Sequence, residues 1–182
     1  KVGIGDTSPS YPLSIKAADP RIMWNDTTTD NDAHKSKVGQ VGDKFYISMS
    51  NGDNDALIID SDGHVTMPLQ SHCQVSTNPS ADQSDIAVGS YVDIDFDTEQ
   101  ADLNGDYNTT NYTFTAPVTG NYLVNCWLRL EAMDTASSFY QLRLTTSNRN
   151  YDTCTIDPGG LSGDQNMAGA FGMSIVIDMD AS

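Results

Sequence analysis

A regular alternation near the middle of the chain is the feature that most restricts its fold. Every second residue between positions 122 and 130 is apolar: Tyr122, Val124, Cys126, Leu128 and Leu130. The positions between them are mixed: Leu123, Asn125, Trp127, Arg129 and, just beyond, Glu131. Successive side chains of a β-strand point to opposite faces, so this pattern predicts a strand with one buried face. A helix is disfavoured because the polar positions recur at every second or fourth residue.

Shorter segments repeat the pattern. In residues 91–97, Val92, Ile94 and Phe96 alternate with aspartates, and residues 139–144 and 174–179 also read as strands. Helix-forming residues are scarce: the chain has only two Glu, and nine Lys and Arg together. Asp, Asn, Ser and Gly are plentiful, and they favour turns. The sequence therefore predicts an all-β fold of short strands, a sandwich or barrel.

The first 67 residues predict a separate region. Strands are expected at 2–4, 12–15, 21–24, 38–41, 44–49, 56–59 and 64–67, with a loop at 25–37 and turns at 42–43, 51–55 and 60–63. Such short strands cannot close a core alone, which predicts a core shared between chains. Residues 68–71 read as a boundary, so we expect a fibre-type region at 1–67, a linker at 68–74 and a second domain at 75–182.

Charge excludes some partners. The formal net charge is −16 at pH 7, which repels phosphates and disfavours nucleic acid or an anionic membrane face. No apolar run approaches the roughly 20 residues of a spanning helix. The chain begins at Lys1 and ends just after a strand pattern, so we expect it to be cut from a longer protein. Its three cysteines cannot all pair, and we expect reduced thiols, as in a protein folded in a cytosol.

Two segments resemble known families. Residues 2–13 read Val-Gly-Ile-Gly-Asp-Thr-Ser-Pro-Ser-Tyr-Pro-Leu, which resembles a motif recurrent in bacteriophage tail fibres, with Asp6 where Thr is commoner. The hairpin at residues 56–67 resembles one that often comes after this motif in such fibres. Residues 112–123 read Tyr-Thr-Phe-Thr-Ala-Pro-Val-Thr-Gly-Asn-Tyr-Leu, which resembles the C1q/tumour-necrosis-factor-like jelly roll. That likeness covers about residues 75–182.

The resemblances imply an intertwined, short-strand fibre region followed by a C1q/TNF-like jelly-roll β-sandwich. Members of that family usually continue for two more strands after the one that resembles residues 174–179, so we expect the last strands to be lacking. The C1q-like family implies a homotrimer that binds proteins or glycans without catalysis, with calcium near the trimer surface in some members.

Some residues are candidates for binding. Carboxylates on one strand face or in an acidic turn could contribute oxygen ligands to Ca²⁺: Asp93, Asp95, Asp97, Asp102 and Asp106. The competing interpretation is an exposed strand face at 93–97 and a plain turn at 102–106. Exposed aromatic side chains could contact a receptor or a neighbouring subunit: Tyr107, Trp127 and Tyr151. The histidines His34, His64 and His72 lack the clustered spacing of a zinc site.

No enzyme motif is present, and we expect no enzymatic activity. The expected function is a trimeric phage fibre segment with a C1q-like head for host-surface attachment. Such a protein would assemble in the host cytoplasm, work in the extracellular virion, and contact other virion proteins and a host glycan or protein. The alternatives are a capsid-decorating head fibre, a secreted bacterial C1q-like adhesin or glycan-binding module, and a polysaccharide-degrading fibre.

Overall fold

The computed structural model describes residues 1–25, 35–49, 55–134, 137–160 and 167–181. Within these ranges the chain is all-β, with fifteen strands, no α-helix and one 3-10 turn at Pro158–Gly160. The expected all-β class is confirmed. The chain forms two compact units: Lys1–Cys73 with Ala101–Gly105, and Gln74–Gln100 with Asp106–Ser182.

The first unit contains one parallel strand pair and one antiparallel meander. Strands β1 and β2 pair in parallel, and β3 to β7 form a five-stranded sheet in chain order. Their bounds are β1 Val2–Ile4, β2 Leu13–Ile15, β3 Arg21–Asn25, β4 Lys35–Val41, β5 Lys44–Ser48, β6 Asp55–Ile59 and β7 Val65–Thr66. The expected hairpins turn at Gly42 and at residues 60–63.

The loop predicted at 25–37 is wrong at both ends. Asn25 belongs to β3, and Lys35 pairs with it as the first residue of β4. Polar residues can extend a strand where a neighbouring strand supplies backbone hydrogen bonds, and the sequence pattern did not show this pairing. The middle of this loop, His34 and most of the predicted turn at 51–55 lie outside the described residues.

The five-stranded sheet has two distinct faces, because directly paired residues of antiparallel strands share a face. One face, here called the apolar face, is built from two cross-strand rows: Ile22, Val38, Ile47 and Leu57, and then Gln40, Phe45, Ile59 and Val65. The opposite face has Tyr46 paired with Gly39 and Ile58, and Lys37 paired with Ser48.

The second half of the chain contains the longest strands. Its strands are β8 Cys73–Ser76, β9 Thr98–Asp102, β10 Tyr107–Asn108, β11 Thr113–Phe114, β12 Gly120–Met133, β13 Tyr140–Thr145, β14 Asn150–Ile156 and β15 Met167–Met179. Strand β12 pairs with β15, and β13 pairs with β14, both antiparallel. The predicted linker at 68–74 ends in β8. The boundary between the two units passes through β8, after Cys73, and through β9, after Gln100.

The alternation predicted for residues 122–130 is confirmed. Along β12, positions 120–130 alternate between half-buried and exposed, and the half-buried set is the predicted apolar one. These residues oppose the apolar alternate positions of β15, where Phe171, Met173 and Ile177 are buried. Together with Met133 and Ala116 they form the hydrophobic core of this unit.

The strand predicted at 91–97 is wrong. These residues have no regular secondary structure, and β9 begins only at Thr98. The side-chain amide of Gln83 occupies the backbone groups that a neighbouring strand would use: its Nε2 donates to the Asp93 carbonyl (2.9 Å), and its Oε1 accepts from the Asp95 amide (3.1 Å). Val92, Ile94 and Phe96 are still half-buried.

Candidate functional site

The fibre-like motif forms a tight parallel loop that depends on Gly3, Gly5 and Asp6. Gly5 has a φ of +69°, in the region that favours glycine. A Cβ on Gly3 would overlap the carbonyl oxygen of Asp6, and one on Gly5 would overlap that of Lys16. The Asp6 carboxylate accepts hydrogen bonds from the Ser8 amide (3.0 Å) and the Ser14 hydroxyl. These bonds, with that of Ser14 the larger contribution, lower the pKa of Asp6.

Asp6 therefore has a structural role in this loop. Parallel strands normally need a crossover of about a dozen residues or more. Here the Asp6 bonds and the two glycines allow a connection shorter than that between β1 and β2.

The C1q-like motif builds the turn into β12. The rings of Phe114 and Tyr122 meet edge to face, with centroids 5.7 Å apart and planes at 65°. The Tyr122 hydroxyl donates to the Val118 carbonyl at 2.6 Å, and Ala116 between them is buried. Three positions of the motif, Phe114, Ala116 and Tyr122, thus serve one local structure, in which an aromatic pair fixes the loop that precedes the long strand.

The predicted cation ligands of residues 93–97 are not brought together. Asp93 and Asp97 are exposed, and Asp95 is half-buried. The backbone amide of Asp97 donates to the Asp95 carbonyl (2.9 Å), which bends this segment and breaks the common face expected of a strand. Among the residues that the structure describes, these aspartates form no group of three ligands for a metal.

Asp102 and Asp106 flank a turn in the way that the competing interpretation expects. The Asp102 carboxylate accepts from the Gly105 amide at 3.1 Å, and Gly105 has a φ of +73°. The carbonyl of Asp106 accepts from the Thr115 amide at 2.7 Å. This acidic segment is therefore organised by backbone hydrogen bonds.

A different group comes together at the β6–β7 hairpin. In the described part of the chain, only Asp60, Asp62 and His64 offer three ligand atoms within 4.8 Å of one another. Asp60 is already occupied as a turn residue: one oxygen accepts from the amides of Asp62 and His64 (2.9 Å each), and the other lies 3.0 Å from the His64 ring nitrogen. The hydrogen bonds of His64 are the main reason that the pKa of Asp60 is lowered.

The sequence predicts residues 60–63 as a hairpin turn, and the hydrogen bonds confirm that role. The prediction does not include His64 in the group. The sequence did contain a signal for this group: Asp60, Asp62 and His64 are separated by one residue each, and the predicted turn can bring their side chains to the same side.

The three candidate aromatic residues have different surroundings. Trp127 is 78% exposed on the outer face of β12. Tyr107 is half-buried, and its hydroxyl donates to the Phe96 carbonyl (3.0 Å). The Tyr151 hydroxyl donates to Asp178 at 2.6 Å. Of the three, Trp127 therefore presents the most open surface for a partner.

Asp178 is a residue that sequence reasoning missed. Besides Tyr151 it accepts hydrogen bonds from Arg149 (2.9 Å) and Asn148 (3.2 Å), so it links the β13–β14 hairpin to β15. The Tyr151 bond is the largest cause of the lowered pKa of Asp178, and it also raises the pKa of the Tyr151 hydroxyl.

The outer face of the β12–β15 pair is a second open surface. Leu123 pairs with Val176 across the strands, and both are exposed. Arg129 and Glu131 neutralise each other in an ion pair of 2.6 Å. This face therefore combines exposed apolar side chains with balanced charge, and it includes Trp127.

Comparison with known proteins gives no relative for this arrangement. No protein-family model, no curated protein and no solved structure matches the chain. In the described ranges, no helix has the length and apolar character needed to span a membrane.

Proposed function

We propose that this chain is a non-enzymatic structural segment of a bacteriophage fibre. In this proposal it is a homotrimer, its first unit is part of the shaft, and its second unit is a C1q-like head for attachment to a host surface. It would assemble in the host cytoplasm and act in the extracellular virion.

The observation that supports this most is the apolar surface that the first unit leaves exposed. In β1 and β2, Val2, Ile4 and Leu13 are exposed, and in the five-stranded sheet Ile22, Phe45 and Ile47 are exposed. A small region of short strands that leaves so many large apolar side chains in water is expected to complete its core against other chains.

The strand pairing supports the jelly-roll assignment of the head. The outer pair β12–β15 encloses the inner pair β13–β14 in the sequence, and the two pairs lie in different sheets. Nested antiparallel pairs of this kind are the building plan of jelly rolls, in which successive pairs alternate between two sheets.

The motif geometry supports the fibre assignment. Two residues that carry the resemblance, Gly3 and Gly5, each have a steric role in the loop. Asp6, which departs from the usual motif, adds hydrogen bonds to the same loop. A resemblance carried by such positions is more specific than one carried by exchangeable surface residues.

Light scattering on the folded protein tests the assembly. We expect about three times the chain mass of 19.7 kDa. A stable monomer would overturn the fibre proposal. Loss of viscosity when the protein is added to a capsular polysaccharide would overturn its non-enzymatic part.

A further inference from the structure

We propose that the apolar face of the β3–β7 sheet is the surface through which copies of this chain pack against one another. The inference rests on the homo-oligomer of the proposed function, and it adds which surface builds the shared core. The occupant of the face is a second copy of the chain.

The first argument is the inverted burial of the sheet. On the apolar face, Ile22, Phe45 and Ile47 are 43%, 44% and 38% exposed. On the opposite face, Ser48, Tyr46 and Lys37 are 0%, 5% and 9% exposed, while Met23 and Val41 are exposed. A single chain that hides a serine and a lysine while it exposes a row of large apolar side chains has left its more hydrophobic surface uncovered.

The second argument is the continuity of this surface. Ile22, Val38, Ile47 and Leu57 follow one another across four strands. At one end of the sheet, Ile15 of β2 joins Ile22, Val38 and Phe45 around a shallow cavity of about 230 Å³. The face is therefore wide and also offers a hollow for a side chain, which is how the core of a stable interface is built.

The third argument decides between a copy of this chain and a charged partner. The chain has a net charge of −16, so most of its surface repels a second copy. No residue in the two cross-strand rows of the apolar face is charged, and Arg21, which also lines the hollow, is paired with Asp19. A second copy can approach here without bringing like charges together, and a strongly basic partner would find no carboxylate in these rows to pair with.

The extent of the face agrees with this occupant. Its two cross-strand rows together take residues from all five strands, β3 to β7, so a second copy would cover a whole sheet face and not a single side chain.

The test compares the wild-type chain with the double variant Ile22→Thr and Ile47→Thr by light scattering over a range of concentrations. Threonine keeps the β-branched shape that suits a strand and removes apolar surface. Val41→Thr is the matched control, since Val41 is 46% exposed on the opposite face of the same sheet. We expect the double variant to raise the half-dissociation concentration by at least about tenfold, with the control unchanged.

A second measurement needs no change in the face. In a Trp127→Phe background, Trp24 is the only tryptophan, and it lies on the apolar side of β3 next to Ile22. We expect its emission to be blue-shifted and protected from iodide in the assembled protein, and to become accessible to iodide on dilution. This readout holds even if the threonine variant fails to fold.

The outcomes separate the two proposals. An assembled wild type with Trp24 open to iodide, and a threonine variant of unchanged mass, would overturn this interface and leave the homo-oligomer standing. A monomeric wild type would overturn both. Both proposals would be supported if the threonine variant dissociates, the Val41 control does not, and Trp24 is protected in a trimeric wild type. If the wild-type assembly has the mass of a dimer, the same results would support the interface and overturn the trimer.

Discussion

The indole ring of Trp127 lies over Gly172, its partner on the neighbouring strand. A Cβ built on Gly172 would come within 2.8 Å of two carbons of the six-membered ring, and the two residues are directly paired in the β12–β15 ladder. The ring thus covers a backbone position that lacks a side chain of its own, an arrangement that compensates glycine in a strand.

We expect Gly172→Val to displace this ring without unfolding the protein. Trp127 is largely exposed, so its side chain can rotate away, and a surface change of this kind costs about 0.5 kcal/mol or less. In a Trp24→Phe background the emission of Trp127 should shift to longer wavelength. Ser174→Val, an exposed position on the same strand, is the control. An unchanged spectrum in the glycine variant would contradict the stacked arrangement.

Gly5→Ala should disrupt the parallel β1–β2 loop. Alanine would have to adopt a positive φ and would also meet the carbonyl of Lys16, a backbone atom that cannot rotate away. We expect a cost of about 1–3 kcal/mol, seen as faster amide exchange of β1 and β2.

Gly120→Ala is the matched control for that change. Its Cβ would meet nothing within 4 Å, so exchange should stay as in the wild type. Equal protection in both alanine variants would show that the loop does not require glycine at position 5.

The sequence could predict most strands of this chain but not their partners. The alternation of residues 122–130 was predictable because one face of β12 is half-buried along nearly its whole length. The same reasoning failed at 91–97, where the apolar residues are half-buried but the hydrogen-bonding partner is the side chain of Gln83. A periodic pattern reports which side chains are buried, and it cannot report what satisfies the backbone.

The candidate site was predictable only in part. Exposure of Trp127 was predictable from its position opposite the apolar residues of β12. The grouping of His64 with Asp60, and of Asp178 with Tyr151, depends on how turns and separate sheets meet. The apolar face of the first unit also needed the strand register, because it is defined by cross-strand rows and not by any single segment.

Arg143→Lys should lower the thermal midpoint more than Arg129→Lys does. Arg143 makes two hydrogen bonds to Asp152 (2.5 and 2.9 Å), and its guanidinium lies 3.8 Å from the centre of the Tyr91 ring. Lysine can reproduce neither the paired bonds nor the stacking. The ion pair of Arg129 with Glu131 lies on an exposed face, so its replacement should be nearly neutral. Circular dichroism melting curves of the two variants give the comparison.

Asp178→Asn should destabilise the second unit in a pH-dependent way. The hydrogen bond from Tyr151 lowers the pKa of Asp178 below its ordinary value of 3.8. A carboxyl group with a depressed pKa contributes stability that is fully present above the ordinary value and is lost as the pH falls through the depressed one. The melting midpoint of the variant should therefore lie below that of the wild type at pH 7, and the difference should shrink below about pH 3.8.

Asp180→Asn, two residues further along the chain, is the control for that series, and its difference from the wild type should stay small throughout. If the Asp178 variant differed from the wild type by the same amount at pH 3 and pH 7, the carboxylate would not be the source of the effect.

Removal of divalent cations with EDTA should leave the assembled mass unchanged. The aspartates that the sequence suggests as calcium ligands, Asp93, Asp95 and Asp97, do not converge. In the hairpin group, both oxygens of Asp60 are already engaged with Asp62 and His64, so an ion would have to displace hydrogen bonds that shape the turn. Light scattering with and without EDTA measures this. Dissociation in EDTA, reversed by added Ca²⁺, would show that a cation is part of the assembly and that the acidic turns do more than close hairpins.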